Sequence, residues 1–124
     1  MMKIQKSAED YLEAMLMIKE RQGYTRSIDV AAELAVTKPS VSYATKRLRE
    51  NGYITVGEGG HIELTEAGYE IASRIYERHR VLTDFLAAIG VEPDKAQEDA
   101  CKIEHDLAQD TFEKIKAYYE ANLK

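Results

Sequence analysis

Apolar side chains recur every three or four residues over most of the chain, a spacing that predicts amphipathic helices. The first helix is predicted from a capping serine, Ser7, to about Arg21. Ser27 is predicted to cap a short second helix, IDVAAELA, and Pro39 to lie in the first turn of a third helix that Gly52 terminates. The apolar stripe of the first helix consists of Ala8, Leu12, Met15 and Leu16.

The helical spacing is interrupted once, after the third helix. The segments YITV and HIEL are rich in β-forming residues and flank GEGG, which predicts a β-hairpin. Thr65 is then predicted to cap a long helix, and position 79 completes the regular spacing of its apolar seam but is a histidine. The apolar members of that seam are Ala72, Ile75, Leu82, Leu86 and Ile89.

Two more helices are predicted at the end of the chain. Pro93 begins one that runs to about Gln109, and Asp110 caps the last one, whose Ile115 and Tyr118 are predicted to face inward. The order of three helices, a hairpin and three helices predicts a mainly α protein with a small β-hairpin wing. We expect an N-terminal winged helix-turn-helix domain, residues 1–72, and a C-terminal helical domain, residues 73–124.

Composition narrows the class of protein. Apolar residues make up 44% of the 124 positions and charged residues 31%, which is typical of a soluble globular protein. No apolar run approaches the ~20 residues of a membrane span, and acidic residues stand where a signal peptide needs an apolar core. A single cysteine cannot form an internal disulfide. We therefore expect a cytoplasmic protein without a membrane partner.

The net charge of -5 argues against a nucleic-acid partner, but the charge is unevenly distributed. The third helix and the turn before it hold Lys38, Lys46, Arg47 and Arg49 against Glu50 alone. The second helix of a helix-turn-helix lies in the major groove, so we expect double-stranded DNA as partner. The alternative is a solvated basic helix in a protein-interaction module. The predicted DNA-binding residues are Thr37, Lys38, Pro39, Ser40, Ser42, Tyr43, Lys46 and Arg47.

The segment ACKIEHDL collects three metal-seeking or reactive groups, Cys101, Glu104 and His105. On a helix, positions i, i+3 and i+4 share a face, so these three side chains are predicted to converge. Asp10 and Glu13 share a face of the first helix in the same way. Charged groups gathered beside an apolar stripe need a partner, and a divalent metal ion is one.

Each candidate residue also has an ordinary structural interpretation. Asp10 suits a capping box with Ser7, and Glu13 suits a solvated position. His79 could be a core histidine that is satisfied by hydrogen bonds, and a lone Cys101 could be a small buried hydrophobe. The residues alone leave these alternatives open.

Four segments together resemble the diphtheria-toxin-repressor family of iron- and manganese-dependent regulators. They are SAEDYLEAM, VTKPSVSYATKRLRENGYI, LTEAGYEIASRIYERHRVLTDFL and ACKIEHDLAQD, and the likeness runs from about Ser7 to Leu123. The resemblance implies an N-terminal winged helix that binds DNA, following helices that dimerise, and repression of metal-uptake genes when metal is plentiful. Because the chain stops at Lys124, we expect it to lack the C-terminal SH3-like domain of longer members.

The resemblance also implies a set of metal ligands, which mixes two branches of the family. Asp10 resembles the manganese-responsive branch, whereas Cys101 resembles the iron-responsive branch. Thr83 and Gln97 stand where the iron-responsive branch has second-site ligands, so such a site is in doubt and His79 is free to join a two-metal cluster. The implied ligands are Asp10, Glu13, His79, Cys101, Glu104 and His105.

Ligand chemistry favours Mn(II) or Fe(II), since carboxylates suit Mn(II) while a thiolate favours Fe(II), Zn(II) or Co(II). Zn(II) and Co(II) are expected to bind in vitro. An enzyme using Cys101 and His105 is disfavoured, because no oxyanion loop or substrate pocket is visible in the sequence. We therefore expect no small-molecule substrate. Two alternatives remain: a winged-helix regulator that senses redox state through Cys101, and a purely structural dimer module with a packed His79.

Overall fold

The computed structural model describes residues 6–124, with the backbone alone for Lys6. It has a mainly α fold with one two-stranded antiparallel sheet, so the predicted fold class is confirmed. The helices are α1 (Lys6–Gln22), α2 (Ser27–Leu34), α3 (Lys38–Glu50), α4 (Glu66–Ala88), α5 (Pro93–Ile103) and α6 (Gln109–Asn122), and the strands are β1 (Ile54–Val56) and β2 (Ile62–Leu64). The chain divides into two compact units, Met1–Arg74 and Ile75–Lys124. Within the described residues, no helix is both long enough and apolar enough to cross a bilayer.

The helix-turn-helix of the first unit is formed by α2 and α3. Ala35 adopts the left-handed conformation that ends α2, with a φ of 54°. Thr37 caps α3, because its hydroxyl accepts a hydrogen bond from the Ser40 amide at 3.3 Å. Pro39 lies in the first turn of α3, as predicted. Sequence therefore located the start of α3 correctly.

The start of α2 differs from the prediction by one residue. Arg26, not Ser27, occupies the N-cap position. The Arg26 amide donates to the Asp29 carboxylate at 3.0 Å, so the acidic residue satisfies the end of the helix. A serine side chain is not needed there.

The hairpin pairs Ile54 with Leu64 and Val56 with Ile62. The loop between the strands contains a short 3-10 turn over 58–60, in which Gly59 and Gly60 have positive φ values of 73° and 76°. The Ile62 amide also donates to the carbonyl of Thr25 at 2.8 Å. That bond ties the hairpin to the loop that follows α1.

Thr65 caps α4, as predicted from the sequence. Its hydroxyl accepts from the Gly68 amide at 3.2 Å and donates to the Gly52 carbonyl at 2.7 Å. A Cβ at Gly68 would lie 2.0 Å from the carbonyl oxygen of Tyr53, so this position requires glycine because of the close backbone approach. The predicted end of the helix near Ile89 is one residue beyond the observed last residue, Ala88.

The second unit has a small core in which Leu82, Ala100 and Phe112 are buried. Val81, Leu107 and Ile115 pack against that core. The predicted inward position of Ile115 is thus observed, whereas Tyr118, also predicted to face inward, is 58% exposed.

The end of α5 and the start of α6 both differ from the prediction. The helix α5 ends at Ile103 rather than near Gln109, and α6 is preceded by Ala108 at the N-cap position, with Asp110 inside its first turn. The Arg78 guanidinium donates to the Glu104 carbonyl, which a longer α5 would use for its own hydrogen bonds, and to the Leu107 carbonyl in the segment that follows. Glu92 caps α5 by accepting from the Lys95 amide at 3.1 Å, a cap that the sequence pattern did not indicate.

Candidate metal centre and candidate DNA-binding helix

His79, Cys101 and Glu104 form a compact cluster in the second unit. Their ligand atoms, an imidazole nitrogen, a sulfur and a carboxylate oxygen, all lie within 4.8 Å of one another. The Nδ1 atom of His79 is 2.9 Å from Oε2 of Glu104. Glu104 is fully buried, with 0% of its surface exposed, whereas Cys101 is exposed at the side of the cluster. A carboxylate placed so deeply needs a cationic partner.

His105 lies next to this cluster, but it does not share a helical face with Cys101 and Glu104 as predicted. Because α5 ends at Ile103, the three residues of the ACKIEHDL segment do not share a helical face. Glu104 keeps helical dihedral angles, with φ of -60° and ψ of -25°, and His105 lies in the turn that follows. Its side chain is 2% exposed, and its Nε2 lies 3.4 Å from Oε1 of Glu104.

The local electrostatics favour a positive charge at His79. Hydrogen bonds to Cys101 and then to Glu104 raise the pKa of His79 from 6.5 to about 10, against the opposing effect of burial. At neutral pH the imidazolium therefore balances the buried carboxylate. An ion that binds at this nitrogen must displace a proton, because a ligating imidazole is neutral.

Arg78 braces the turn that carries Glu104 and His105. It is buried, and its guanidinium donates to the Glu104 carbonyl at 3.0 Å, to the Leu107 carbonyl at 2.7 Å and to Oε1 of Gln109 at 2.8 Å. Arg78 is not among the site residues that the sequence pattern predicts. The signal in the sequence was an arginine directly before His79, on a helix that faces the core. The structure shows that this arginine is buried.

Asp10 and Glu13 both belong to α1, in the first unit. Glu13 is buried, with 7% of its surface exposed, so the interpretation as a solvated charge is wrong. Asp10 is half-buried. Ser7 lies inside α1, so Asp10 does not serve as the third residue of a capping box that begins at Ser7.

The donor set of the second unit fits a divalent metal ion. Such ions hold nitrogen, oxygen and sulfur ligands at about 2.0–2.3 Å, so two ligands of one ion lie at most about 4.6 Å apart. The cluster atoms lie within 4.8 Å of each other, a bound about 0.2 Å above that limit, so a small shift of the side chains would suit an ion. In addition, Oε1 of Glu104 is buried and accepts no hydrogen bond from the described residues. One buried oxygen is thus available for coordination.

The predicted DNA-binding residues lie on the exposed surface of α3 and at its N-terminus. Tyr43 is 64% exposed, and Arg47 donates to its hydroxyl at 3.3 Å with the guanidinium 5.7 Å from the ring centroid. None of the lysines and arginines on α3 forms an ion pair with a carboxylate of residues 6–124. The exposed residues are Thr37, Lys38, Pro39, Ser40, Ser42, Tyr43, Lys46 and Arg47.

A helix-turn-helix with a wing and an exposed basic helix, in one chain with a His–Cys–Glu cluster, defines a metal-dependent transcriptional regulator. Comparison with known families supports this class. The family model described as iron dependent repressor, N-terminal DNA binding domain, matches residues 3–62. The model described as iron dependent repressor, metal binding and dimerisation domain, matches residues 65–122. The chain therefore belongs to the iron-dependent, or diphtheria-toxin-repressor, family, and the resemblance seen in the sequence is confirmed.

Individual relatives agree with the family assignment. The HTH-type transcriptional regulator MntR of Bacillus subtilis is 36% identical over 109 residues, which cover 88% of this chain and 77% of the relative. The solved manganese regulator SloR is 26% identical with a TM-score of 0.79, over 96% of this chain and 55% of that one. A manganese-dependent transcriptional repressor in complex with manganese is 26% identical with a TM-score of 0.82, over 91% and 52%. The chain thus spans little more than half the length of these two solved chains.

Proposed function

We propose that the protein is a homodimeric repressor of metal-uptake genes that binds a palindromic double-stranded operator when Mn(II) or Fe(II) is plentiful. The observation that carries the proposal is the buried His79–Glu104 pair with Cys101 beside it, inside the segment that matches a metal-binding domain. Residues 1–72 would bind DNA, and residues 73–124 would bind metal and dimerise. We propose a cytoplasmic location and no enzymatic activity.

The proposed ligands come from both units of the chain. When bound, the ion would supply the positive charge that several carboxylates require for close approach. Hard oxygen donors suit Mn(II), and the cysteine sulfur suits Fe(II), so the donor set is compatible with either ion. The proposed metal ligands are Asp10, Glu13, His79, Cys101, Glu104 and His105.

Regulation would follow from shared ligation. Asp10 and Glu13 belong to the DNA-binding half, whereas the other four ligands belong to the dimerising half. With all six ligands engaged, the two recognition helices of a dimer would be held about one DNA turn apart, ~34 Å. Metal and DNA would then stabilise the same state, so each must raise the affinity for the other by the same factor.

Exposed apolar side chains of the second unit support the homodimer. Ile89 is 56% exposed, Ile103 38% and Tyr118 58%. Contiguous apolar surface is typical of an interface, and residues 65–122 match a family model described as a metal binding and dimerisation domain. Sedimentation equilibrium at micromolar concentration is expected to give a dimer, and a monomer alone would refute this part of the proposal.

The deciding experiment is a metal titration of DNA binding. The metal-free protein is titrated separately with Mn(II), anaerobic Fe(II) and Zn(II), and operator binding is followed by fluorescence anisotropy. His105→Ala is expected to abolish the metal response and leave the dimer intact. Glu98→Ala is the control, because Glu98 is exposed on α5, close to the cluster in sequence, and is not among the proposed ligands. A His105→Ala protein that responds like the parent would contradict the proposed site.

Metal preference should depend on Asp10 and Cys101, the two proposed ligands at which the branches of the family differ. Cys101→Glu is expected to raise the response to Mn(II) relative to Fe(II), because a carboxylate binds Mn(II) better than a thiolate does. Asp10→Met is expected to do the opposite. Both substitutions keep a helix-forming residue, so thermal unfolding of the metal-free protein should change little.

One observation also favours a second candidate function. Cys101 is exposed and hydrogen-bonded to His79, so a redox sensor that uses this sulfur is the alternative. Release of DNA by mild peroxide in metal-free protein would support it. Loss of that response in Cys101→Ser would assign it to the sulfur.

A further inference from the structure

We propose that Arg26 is a phosphate-binding residue of the DNA-facing surface, held in position beside the wing by Tyr24 and His61. It lies outside α3 and outside the residues that the sequence pattern assigned to DNA. The inference rests on the DNA-binding function proposed above and adds a second contact region to it.

The first argument is the pattern of ion pairs in the first unit. Outside α3, most described cations of this unit are neutralised by a carboxylate: Lys19 by Glu63 at 3.0 Å, Arg21 by Glu33 at 3.0 Å and Arg74 by Glu9 at 3.3 Å. Among the side chains that the structure describes there, Arg26 is the exception.

The second argument is that two aromatic rings, and no carboxylate of the described residues, fix the orientation of this guanidinium. The Nη2 atom of Arg26 is 3.3 Å from Nε2 of His61, and its guanidinium carbon lies 5.7 Å from the centroid of the Tyr24 ring. The Tyr24 and His61 rings stack with centroids 5.5 Å apart and planes at 22°. An arginine restrained in this way loses less side-chain entropy when it binds an oxyanion, and its planar fork matches phosphate oxygens.

The third argument is that the charge does not stabilise the element it belongs to. Arg26 occupies the N-cap position of α2, where the helix dipole disfavours a positive charge. Asp29 accepts from the Arg26 backbone amide and not from its side chain. The Arg26 guanidinium therefore takes no part in capping α2 and is left for another role.

The surroundings identify the anion as a DNA phosphate. His61 immediately precedes β2, and the β2 residue Ile62 is hydrogen-bonded to Thr25, so the cluster includes both the wing and the loop before the helix-turn-helix. These are the parts of a winged helix that flank the recognition helix on the duplex. A contact to phosphate contributes affinity without sequence preference.

The test is the salt dependence of DNA binding at saturating Mn(II). The probe is a labelled random-sequence duplex of about 30 base pairs, roughly three helical turns, and affinity is measured between about 50 and 200 mM salt. Arg26→Gln removes two phosphate contacts per proposed dimer, so the slope of log K against log salt should fall in magnitude by about 1.8. Affinity should weaken equally for random and operator sequences.

Two variants make the result specific. Arg21→Gln is the matched control, because it removes an exposed arginine of the same unit that is already paired with Glu33, and its slope should equal that of the parent. Tyr24→Leu keeps the charge but removes the ring, so affinity should fall while the slope stays near the parent value. Circular dichroism confirms that each variant is folded.

The outcomes separate this inference from the proposed function. A parent protein that binds no DNA with any metal contradicts the proposed function itself. If the parent binds and Arg26→Gln keeps the parent slope, the phosphate contact is refuted. Equal loss of slope in Arg26→Gln and Arg21→Gln also refutes it, because the effect would then come from net charge and not from a placed guanidinium.

Discussion

Substitution of Arg78 tests whether the turn after α5 is held by tertiary hydrogen bonds. Arg78→Met keeps a long, helix-forming side chain but removes the guanidinium. Three acceptors then lose a charged donor: the carbonyls of Glu104 and Leu107, and the side-chain oxygen of Gln109. The stacking of the guanidinium over Phe112, at 5.4 Å, is lost as well.

The expected loss of stability follows from the number and burial of these bonds. A hydrogen bond to a charged group contributes roughly 1.5–3 kcal/mol, but water can replace the donor at the part-buried Leu107 and Gln109 acceptors. The Glu104 bond is buried and cannot be replaced in this way. We therefore expect the free energy of unfolding to fall by about 3 kcal/mol, a large share of the typical ~5–15 kcal/mol.

Metal affinity should fall together with stability, because the same turn carries Glu104 and His105. Loss of a group that orients metal ligands typically costs 10–100-fold in affinity. Urea unfolding of the metal-free protein measures the first effect. Titration with Co(II), followed by the absorption of its complex, measures the second without any DNA. Arg78→Lys should recover little of either, since an ammonium cannot reproduce the planar fork.

Arg80→Met is the matched control for this experiment. Arg80 is exposed and lies over the ring of Tyr76 at 4.6 Å, on the same helix. Its loss should change the free energy of unfolding by less than about 1 kcal/mol and leave Co(II) affinity unchanged. Equal effects of Arg78→Met and Arg80→Met on both quantities would refute the reasoning.

The remaining predictions concern the fold and are all read from urea unfolding of the metal-free protein. Gly68→Ala should lower stability by about 1–3 kcal/mol, since its Cβ would lie 2.0 Å from the Tyr53 carbonyl oxygen, and the neighbouring Ala67→Ser should not. Thr65→Val should cost about 1–2 kcal/mol through the lost helix cap. Phe112→Ala should cost about 3–5 kcal/mol as a core cavity, and a smaller loss would place that ring outside the core.

Features set by neighbouring residues could be predicted from the sequence. The start of α3 was correct because Thr37 and Pro39 act within one turn of each other. The cap of α4 was correct for the same reason, since Thr65 binds an amide three residues ahead. The β-forming residues on either side of GEGG predicted the hairpin, and apolar spacing predicted the long helix.

Features set by distant residues could not be predicted. The segment after α5 is hydrogen-bonded to Arg78, whose guanidinium donates to carbonyls 26 and 29 residues further along the chain. The local pattern favoured a longer helix, and no property of the 93–109 segment alone reveals that its carbonyls have another donor. The stack of Tyr24 on His61 is equally nonlocal, so Arg26 was not recognised as a restrained cation.

The residues of the candidate metal cluster lie together through a geometry that the sequence pattern describes only in part. Cys101 and Glu104 do lie together, because Glu104 keeps helical dihedral angles at the end of α5. His105 lies in the turn after α5, and Arg78 donates hydrogen bonds to the carbonyls of that turn. Since Arg78 and His79 are adjacent on α4, one short segment supplies both a candidate ligand and the brace for two others. A change that loosens this turn should therefore lower the stability of the fold and the preorganisation of the candidate ligands together. The two effects are coupled, because the same hydrogen bonds hold the turn and the residues that it carries.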